Sequence, residues 1–409
     1  MSSTSTLRLS IMMFLQFFVW GAWYVTVGNY MTSLGMSDIT HWAYTVSPIA
    51  GIIAPFFLGM VADRYFAAQK VLGVLHLGSG ITLIAAPFFA DNPTSFLVIL
   101  FIHMLCYMPT LGLSNSVAFQ NIQNQEKQFP VIRVFGTIGW IVAGIFVSAV
   151  LHADQTPIPL YTGGAAAILL GLYSFTLPNT PPRPQTEKAT VAQILGFGAL
   201  SKLKGKPFWI FIISSFLISI PLAAYYNFAP LFVNQSGMSD PAFRMSFGQM
   251  SEAIFLFAMP LFFSRLGVKK MLLAGMAAWV LRYALFSFGA PIGVLSTGAE
   301  AMIIVGILLH GICYDFFFVT GQIYVDRKAS AEIRSQAQGF LVFATYGVGM
   351  LIGAQISGWL YNHYLAGGTA LSPEQWKSFW LVPAGFAFLI MVFFALQFKD
   401  RDVEPKTAI

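Results

Sequence analysis

Long apolar runs separated by short polar segments extend along the whole chain. Each run is long enough to cross the roughly 30 Å hydrocarbon core of a bilayer. About twelve can be marked off, at residues 8–32, 41–62, 70–90, 94–119, 133–153, 158–177, 207–233, 247–265, 269–289, 297–325, 338–363 and 376–398. None shows the strict alternation of a lipid-facing β-strand, and lipid tolerates no unpaired backbone group, so each run predicts a helix. The predicted fold is an all-α polytopic membrane protein.

Composition and charge agree with a membrane location. Hydrophobic residues make up 57% of the 409 and charged residues only 9%, against about a quarter charged in soluble domains. Nineteen of the 22 Lys and Arg residues lie at the two termini or in loops that follow even-numbered runs. Positive charge is retained in the cytoplasm during insertion, so both termini are predicted to be cytoplasmic. Topology therefore explains the net charge of +6, and no nucleic-acid partner is expected.

The longest polar stretch, residues 178–206, separates six apolar runs from six. It reads as a cytoplasmic linker between an N-terminal half, 1–177, and a C-terminal half, 207–409. The halves repeat one another, because HMLCY starting at His103 recurs as HGICY starting at His310. Parallel repeats of this kind are typical of transporters that alternate between two states around a midplane site.

Several motifs carry a family resemblance. GMVADRYFAAQK after the second run is similar to a loop signature of the major facilitator superfamily, which Gly59, Asp63 and Arg64 match. Over most of the chain the segments FLQFFVWGAW, YMPTLGLSNS, FPVIRVFGTIGW, GQMSEAIFLFAMPLFF, AWVLRYALF, HGICYDFF and RSQAQG together resemble the bacterial nucleoside:proton symporters of that superfamily. The resemblance implies proton-coupled nucleoside import across the bacterial inner membrane, with no cofactor and no metal.

The resemblance also implies roles for individual residues. Those expected to bind substrate are Arg133, Thr137, Trp140, Asn227, Gln249, Glu252 and Tyr314. From the residues themselves, Asp315 and Glu252 are expected to couple proton movement, and Asp63 and Arg64 are expected to form a cytoplasmic gate. Ala224 stands where the family's permease pattern has a glutamine, so a sugar or another neutral polar solute stays an alternative substrate.

The residues themselves support part of this assignment. Arg133, Thr137 and Trp140 are spaced i, i+4 and i+7, and Gln249 and Glu252 are spaced i and i+3, so each set shares one helix face. Aromatic rings suit a nucleobase, while amides and hydroxyls can pair with ribose and base edges. The same inventory would also serve a sugar.

Asp315 lies between two runs of bulky apolar residues, where an ionised carboxylate is costly. We expect it to face a water-filled cavity and to carry the transported proton. It could instead be a structural residue bonded between helices, and Glu252 could simply pair with a neighbouring helix. Arg133 could be a cytoplasmic anchor, and Arg282 is expected to find an acidic or carbonyl partner. His103 and His310 read as equivalent packing positions left by duplication.

Three functional classes follow. Secondary active transport leads, with the nucleoside, protons and the lipid bilayer as partners and a monomer as the expected form. No nucleophile elbow, zinc helix or phosphate loop is found, so an enzyme is not expected. A sensor that keeps the transporter fold without moving solute remains the third class.

Overall fold

The structure is a computed structural model of the chain, and it describes residues 3–57, 65–182, 197, 203, 205–291, 294–330, 333–365 and 373–399. Every regular element among these residues is a helix, as the apolar runs predict. Nine of the described helices are long and apolar enough to cross a bilayer. The predicted all-α polytopic class is therefore confirmed.

The chain divides into two compact units. The first comprises Met1–Val191 together with Asp240–Ser246, and the second comprises Ala192–Ser239 with Phe247–Ile409. Most of the predicted linker lies outside the described residues. The proposed division at 178–206 therefore stays a prediction.

Seven α-helices lie in the first unit. They are α1 (Ser3–Trp23), α2 (Val27–Ser33), α3 (Thr40–Phe57), α4 (Ala68–Ala85), α5 (Pro93–Gln120), α6 (Gln125–Gly144) and α7 (Ile158–Ser174). Short 3-10 helices occupy Ser37–Ile39 and Ala86–Phe89, and α6 continues as a π-helix over Ile145–Val150. Within this unit α1 packs against α6 and α7, α4 against α5 and α7, and α3 against α5.

The remaining helices belong mainly to the second unit. They are α8 (Lys206–Gln235), α9 (Pro241–Phe288), α10 (Thr297–Leu308), α11 (His310–Cys313), α12 (Thr320–Lys328), α13 (Arg334–Val342), α14 (Met350–Tyr364) and α15 (Pro373–Gln397). Two π-helical segments, Tyr314–Val319 and Phe343–Gly349, join α11 to α12 and α13 to α14. α8 packs against α14 and α15.

Two predicted spans, 247–265 and 269–289, run together as the single element α9. The junction is Gly267, whose φ of 66° and ψ of 178° break the helical path. Glycine adopts this conformation without the steric cost that a Cβ would bring. α3 and α7 are shorter apolar helices than the nine long ones, so the described residues contain a helix for each predicted apolar run.

Glycines bring α1 and α6 together at backbone distance. A Cβ on Gly21 would lie 3.0 Å from the α-carbon of Trp140, and one on Gly139 would overlap the carbonyl of Phe14. Small residues commonly permit such approaches in membrane helices, where close packing replaces the hydrophobic drive of water. The backbones of α1 and α6 can therefore approach this closely only because glycine occupies both positions.

Asp154, in the turn between Val150 and α7, bonds two separate segments of the first unit. Its Oδ2 accepts a hydrogen bond from the Ser148 hydroxyl at 2.6 Å, and its Oδ1 accepts one from the Ala242 N–H at 2.9 Å. Ala242 lies in the first turn of α9, where backbone N–H groups have no partner within the helix. Asp154 therefore caps the N-terminus of α9, although it lies outside that helix.

Gly139→Ala should destabilise the protein by about 1–3 kcal/mol, because the added methyl group overpacks the α1–α6 contact. The measurement is the apparent melting temperature in detergent. Gly385→Ala is the control, since a Cβ at Gly385 meets no atom within 4 Å. It should leave the melting temperature unchanged or raise it, because alanine favours the helix. Equal losses in both variants would refute the close-contact explanation.

The stability of the protein should depend on the pH through Asp154. Burial raises the pKa of this carboxyl above its ordinary value of 3.8, and the hydrogen bonds from Ser148 and Ala242 oppose that shift. The folded chain therefore holds this proton more tightly than the unfolded chain. The resulting stabilisation is fully present below pH 3.8 and is lost as the pH rises through the raised pKa.

Asp154→Asn should remove this component of the pH dependence, measured as the melting temperature across an acidic series. Ser148→Ala removes a hydrogen bond that lowers the Asp154 pKa, so it should extend the dependence to higher pH. An Asp154→Asn profile parallel to that of the wild type would contradict the assignment.

Candidate functional site

In the first unit, Arg133, Thr137 and Trp140 lie along α6 as their spacing predicts, and all three are half-buried. The guanidinium carbon of Arg133 lies 4.2 Å from the centre of the Phe17 ring. Trp140 meets Trp20 edge-on, with ring centres 5.6 Å apart. The neighbouring helix α1 thus places aromatic rings against the cation and the indole of α6.

A buried polar network lies deeper in the same unit. His76 Nε2 is 2.9 Å from Oε1 of Gln16, and the Gln16 amide donates to Thr110 Oγ1 at 2.7 Å. The Tyr107 hydroxyl donates to the backbone carbonyl of Gln16 at 2.5 Å. Gln16 and Thr110 were not singled out from the sequence. Gln16 could have been found as a polar residue inside an apolar run.

In the second unit, Asn227 and Gln249 present polar groups from α8 and α9. The Asn227 amide donates to Ser357 Oγ at 3.1 Å, which ties α8 to α14. The oxygens Oδ1 of Asn227 and Oε1 of Gln249 are buried without a hydrogen-bond partner among the described residues. Each is therefore a buried acceptor without a donor among the described residues.

Glu252 is the half-buried carboxylate of α9. Its Oε2 lies 3.7 Å from Nε2 of His310, which is within ion-pair range but longer than a hydrogen bond. Glu252 is thus a charged neighbour of a buried imidazole.

Tyr314 and Asp315 open the π-helical segment Tyr314–Val319, although the sequence predicted one continuous helix there. The Tyr346 hydroxyl donates to the Tyr314 hydroxyl at 2.8 Å, and Tyr346 lies in the second π-helical segment, Phe343–Gly349. π-Helical turns are rare and frequently mark functional positions. Here two of them are joined through their tyrosines.

Asp315 is only 1% exposed. Both of its carboxyl oxygens are buried, and neither has a hydrogen-bond partner among the described residues. The expectation that Asp315 faces an open cavity is therefore wrong for this conformation. An ionised carboxylate with no partner would be costly here, so the protonated acid is the form that fits.

Arg282 is a fully buried cation of α9. Its Nε donates to the Gly306 carbonyl at 3.1 Å, which is the carbonyl partner expected from the sequence. Its guanidinium carbon lies 4.1 Å from the centre of the Tyr225 ring. A desolvated cation over an aromatic ring gains about 2 kcal/mol. Backbone and ring offset part of the cost of burying this charge, while Nη1 and Nη2 have no hydrogen-bond partner among the described residues.

Residues 3–403 match the family model described as Nucleoside H+ symporter. The chain belongs to the nucleoside H+ symporter family. The resemblance seen in the sequence motifs is thereby confirmed, and the family is one of transporters rather than enzymes.

Relatives and solved structures agree with this family. The chain is 38% identical to the transporter YegT of Escherichia coli (strain K12) over 98% of this chain and 95% of that one. It is 33% identical to the nucleoside permease NupG of the same organism, over 98% and 97%. The NupG crystal structure superposes with a TM-score of 0.86 at 31% identity, covering 97% of this chain and 99% of that chain.

The fold is that of the major facilitator superfamily. The POT family transporter PepTSo shares it at 13% identity, with a TM-score of 0.74 over 97% of this chain and 98% of that one. Among the described residues of this symporter, no group of three or more His, Cys, Asp or Glu side chains could hold a metal ion. The gate residues predicted from the loop signature, Asp63 and Arg64, lie outside the described residues.

Arg282→Lys should destabilise the symporter by about 1–3 kcal/mol, because lysine cannot reproduce the Nε bond and leaves the Gly306 carbonyl unpaired. Arg327→Lys is the control. Its guanidinium lies 5.1 Å from the Phe263 ring, but this arginine is not buried. The control should change stability by no more than about 0.5 kcal/mol. Thermal unfolding in detergent measures both, and equal effects would show that burial of Arg282 is unimportant.

Proposed function

We propose that this chain imports nucleosides together with protons by alternating access. The observation that carries the proposal is the buried carboxyl of Asp315, which has no partner among the described residues, inside a membrane helix of a nucleoside H+ symporter. The location would be the bacterial inner membrane, with both termini cytoplasmic and the chain working as a monomer in the lipid bilayer.

Asp315 would carry the proton. In its protonated form the side chain is neutral, and it can stay buried among the apolar residues that surround it. Once ionised it needs water or a cation, because an isolated charge in the bilayer is expensive. Proton binding and release would therefore favour different conformations of the protein, and this is the requirement for coupling.

The residues proposed to bind the nucleoside are those that the sequence indicated. In the first unit Trp140 offers an aromatic face, and Arg133 and Thr137 offer hydrogen bonds. In the second unit Tyr314 offers another ring, and polar contacts would come from Asn227, Gln249 and Glu252. The acceptor oxygens that Asn227 and Gln249 leave unused among the described residues suit the N–H edges of a base or the hydroxyls of ribose. Asp63 and Arg64 would form the cytoplasmic gate.

Ala224 favours a second candidate substrate. It is buried on α8, with 2% exposure, where the family's permease pattern has a glutamine. A methyl group removes one hydrogen-bonding partner for the base. Another neutral polar solute, such as a sugar, is therefore the alternative cargo.

The experiment is uptake of radiolabelled uridine and adenosine into proteoliposomes, with and without an inward proton gradient. Wild-type protein should accumulate a nucleoside above its external concentration only when the gradient is present. Asp315→Asn should lose at least about tenfold in accumulation, equivalent to about 1.4 kcal/mol of driving force. It should retain exchange of nucleoside across the membrane, because substrate contacts are unchanged.

Asp91→Asn is the control, since Asp91 is an exposed carboxylate in a loop of the first unit. It should accumulate nucleoside as the wild type does. Undiminished accumulation by Asp315→Asn would eliminate this residue as the proton carrier. Failure of folded wild-type protein to take up either nucleoside would eliminate the proposed cargo, and uptake of sugars would then be measured.

A further inference from the structure

His152 and Asp240 share an unusual backbone conformation. Their φ angles are 49° and 54°, and they are the two non-glycine residues with a positive φ among the residues that the structure describes. This region is costly for a residue that carries a Cβ, although His and Asp enter it more often than most. Residues in it persist where surrounding contacts hold them, and they cluster in segments that switch conformation. Both positions are therefore candidates for a conformational switch.

These two residues contact each other. Nδ1 of His152 lies 2.7 Å from Oδ1 of Asp240. The His152 side chain is 70% exposed and that of Asp240 is 24% exposed, so water reaches the imidazole. His152 lies in the turn between the π-helical end of α6 and α7, and Asp240 directly precedes α9. The pair thus joins the turn after α6 to the start of α9.

Two further contacts fasten the same segments to each other. The Asp154 carboxylate accepts the hydrogen bond from the Ala242 N–H at 2.9 Å. A Cβ on Gly144 would lie 2.6 Å from Oγ of Ser246 and 3.2 Å from the carbonyl oxygen of Ala242, so α6 and the first two turns of α9 pack closely. The start of α9 is therefore held by an ion pair, a helix cap and a close packing contact.

The start of α9 also links the two units along the chain. Asp240–Ser246 belongs to the first unit, and the rest of α9 from Phe247 belongs to the second. The helical path is unbroken from Pro241 to the residue before Gly267, so a displacement of α9 in the second unit would reach its first turn. Alternating access requires one half of a transporter to move against the other. The contact of His152 with Asp240 would then open during the cycle.

The charge on the imidazole decides how strongly this contact holds. Histidine is the side chain that most readily changes its charge at physiological pH. A protonated imidazole makes a charge-assisted bond to a carboxylate, and such a bond is stronger than that of a neutral ring. Acid therefore strengthens the bond between His152 and Asp240, and loss of the proton weakens it.

Other titratable groups of the neighbouring elements are few. The turn itself contributes Asp154, and α9 contributes Arg244 one turn after Asp240. α2 packs on the turn through a hydrogen bond from its last residue to the Gln155 carbonyl at 3.0 Å. α2 and α7 carry no charged residue, and their titratable side chains nearest in sequence to the turn are Tyr30 and Tyr161. The imidazole of His152 is therefore the group through which a proton acts on the contact.

We propose that the contact between His152 and Asp240 is an outer gate of the transport cycle and that protonation of His152 favours its closed state. His152 lies at the end of the fifth apolar run and Asp240 after the seventh, so in the predicted topology both face away from the cytoplasm. Nucleoside and protons would enter from that side. The proposal rests on the proposed function and adds a gate at the face opposite the cytoplasmic one.

Spin labels measure the opening of the gate without substrate. Gln155→Cys and Ser239→Cys place them at two exposed positions close in sequence to the pair, and Cys106→Ala and Cys313→Ala remove the native thiols. The distance between the labels is measured in nanodiscs from about pH 8 to about pH 5, where histidines titrate. The ratio of near to far populations should rise about twofold to fivefold toward acid, as expected for an exposed ion pair. A ratio that does not depend on pH would overturn the proposal.

Three substitutions in the labelled protein assign the pH dependence. His152→Gln and Asp240→Asn should each abolish it, because either change removes the ion pair. His363→Gln is the matched control, since His363 is an exposed histidine of α14 outside both segments, and it should keep the dependence. Retention of the dependence in both His152→Gln and Asp240→Asn would overturn the proposal.

Cross-linking tests whether the gate has to open. His152→Cys and Asp240→Cys together place two thiols at the contact, where a bifunctional methanethiosulfonate joins them reversibly. The cross-linked protein should lose both gradient-driven accumulation and exchange of uridine and should regain them after reduction. Each single-cysteine variant, treated alike, should lose neither. Undiminished uptake by the cross-linked protein would overturn the proposal. If folded wild-type protein took up no nucleoside, the proposed function would fail, and the label distances would still decide the gate.

Discussion

The cost of placing an ionised group where no water can solvate it shapes this symporter at every level. An unpaired backbone N–H or C=O group is also costly in lipid, and this confines the backbone to helices, because a helix satisfies its own N–H and C=O groups. Among side chains it is met in two ways within the second unit. Arg282 stays charged, with its guanidinium over the Tyr225 ring and its Nε donating a hydrogen bond to the Gly306 carbonyl. Asp315 has no such partner among the described residues and fits its surroundings as a neutral acid.

The internal repeat places the same pair of side chains in two different surroundings. Both units place a histidine and a tyrosine one helical turn apart, and the ring centres lie 5.9 Å apart in the first pair and 5.8 Å apart in the second. In the first unit the histidine bonds to Ser79, and the result is a buried polar contact between α4 and α5. In the second, Glu252 is the neighbour. The spacing of the repeat is retained, while the neighbour of the imidazole changes from a serine to a carboxylate.

The sequence alone predicted the elements that depend on hydrophobic length. Each apolar run has its helix, since burial in lipid is a property that every residue of the run shares. The break at Gly267 inside α9 also falls between two predicted spans, 247–265 and 269–289. The π-helical turns at Tyr314–Val319 and Phe343–Gly349 were missed, because they depend on contacts with residues distant in sequence.

The polar groups were found more readily than their partners. Asp315 stands out because carboxylates are rare in apolar runs, but the pairing of Tyr314 with Tyr346 joins residues 32 positions apart and leaves no local pattern. That hydrogen bond links two helices at the place where each is wound as a π-helix. Because a π-helical turn is less stable than an α-helical one, it persists where tertiary contacts select it. The bond between the two tyrosines is such a contact, and Asp315 lies in one of the two segments that it joins.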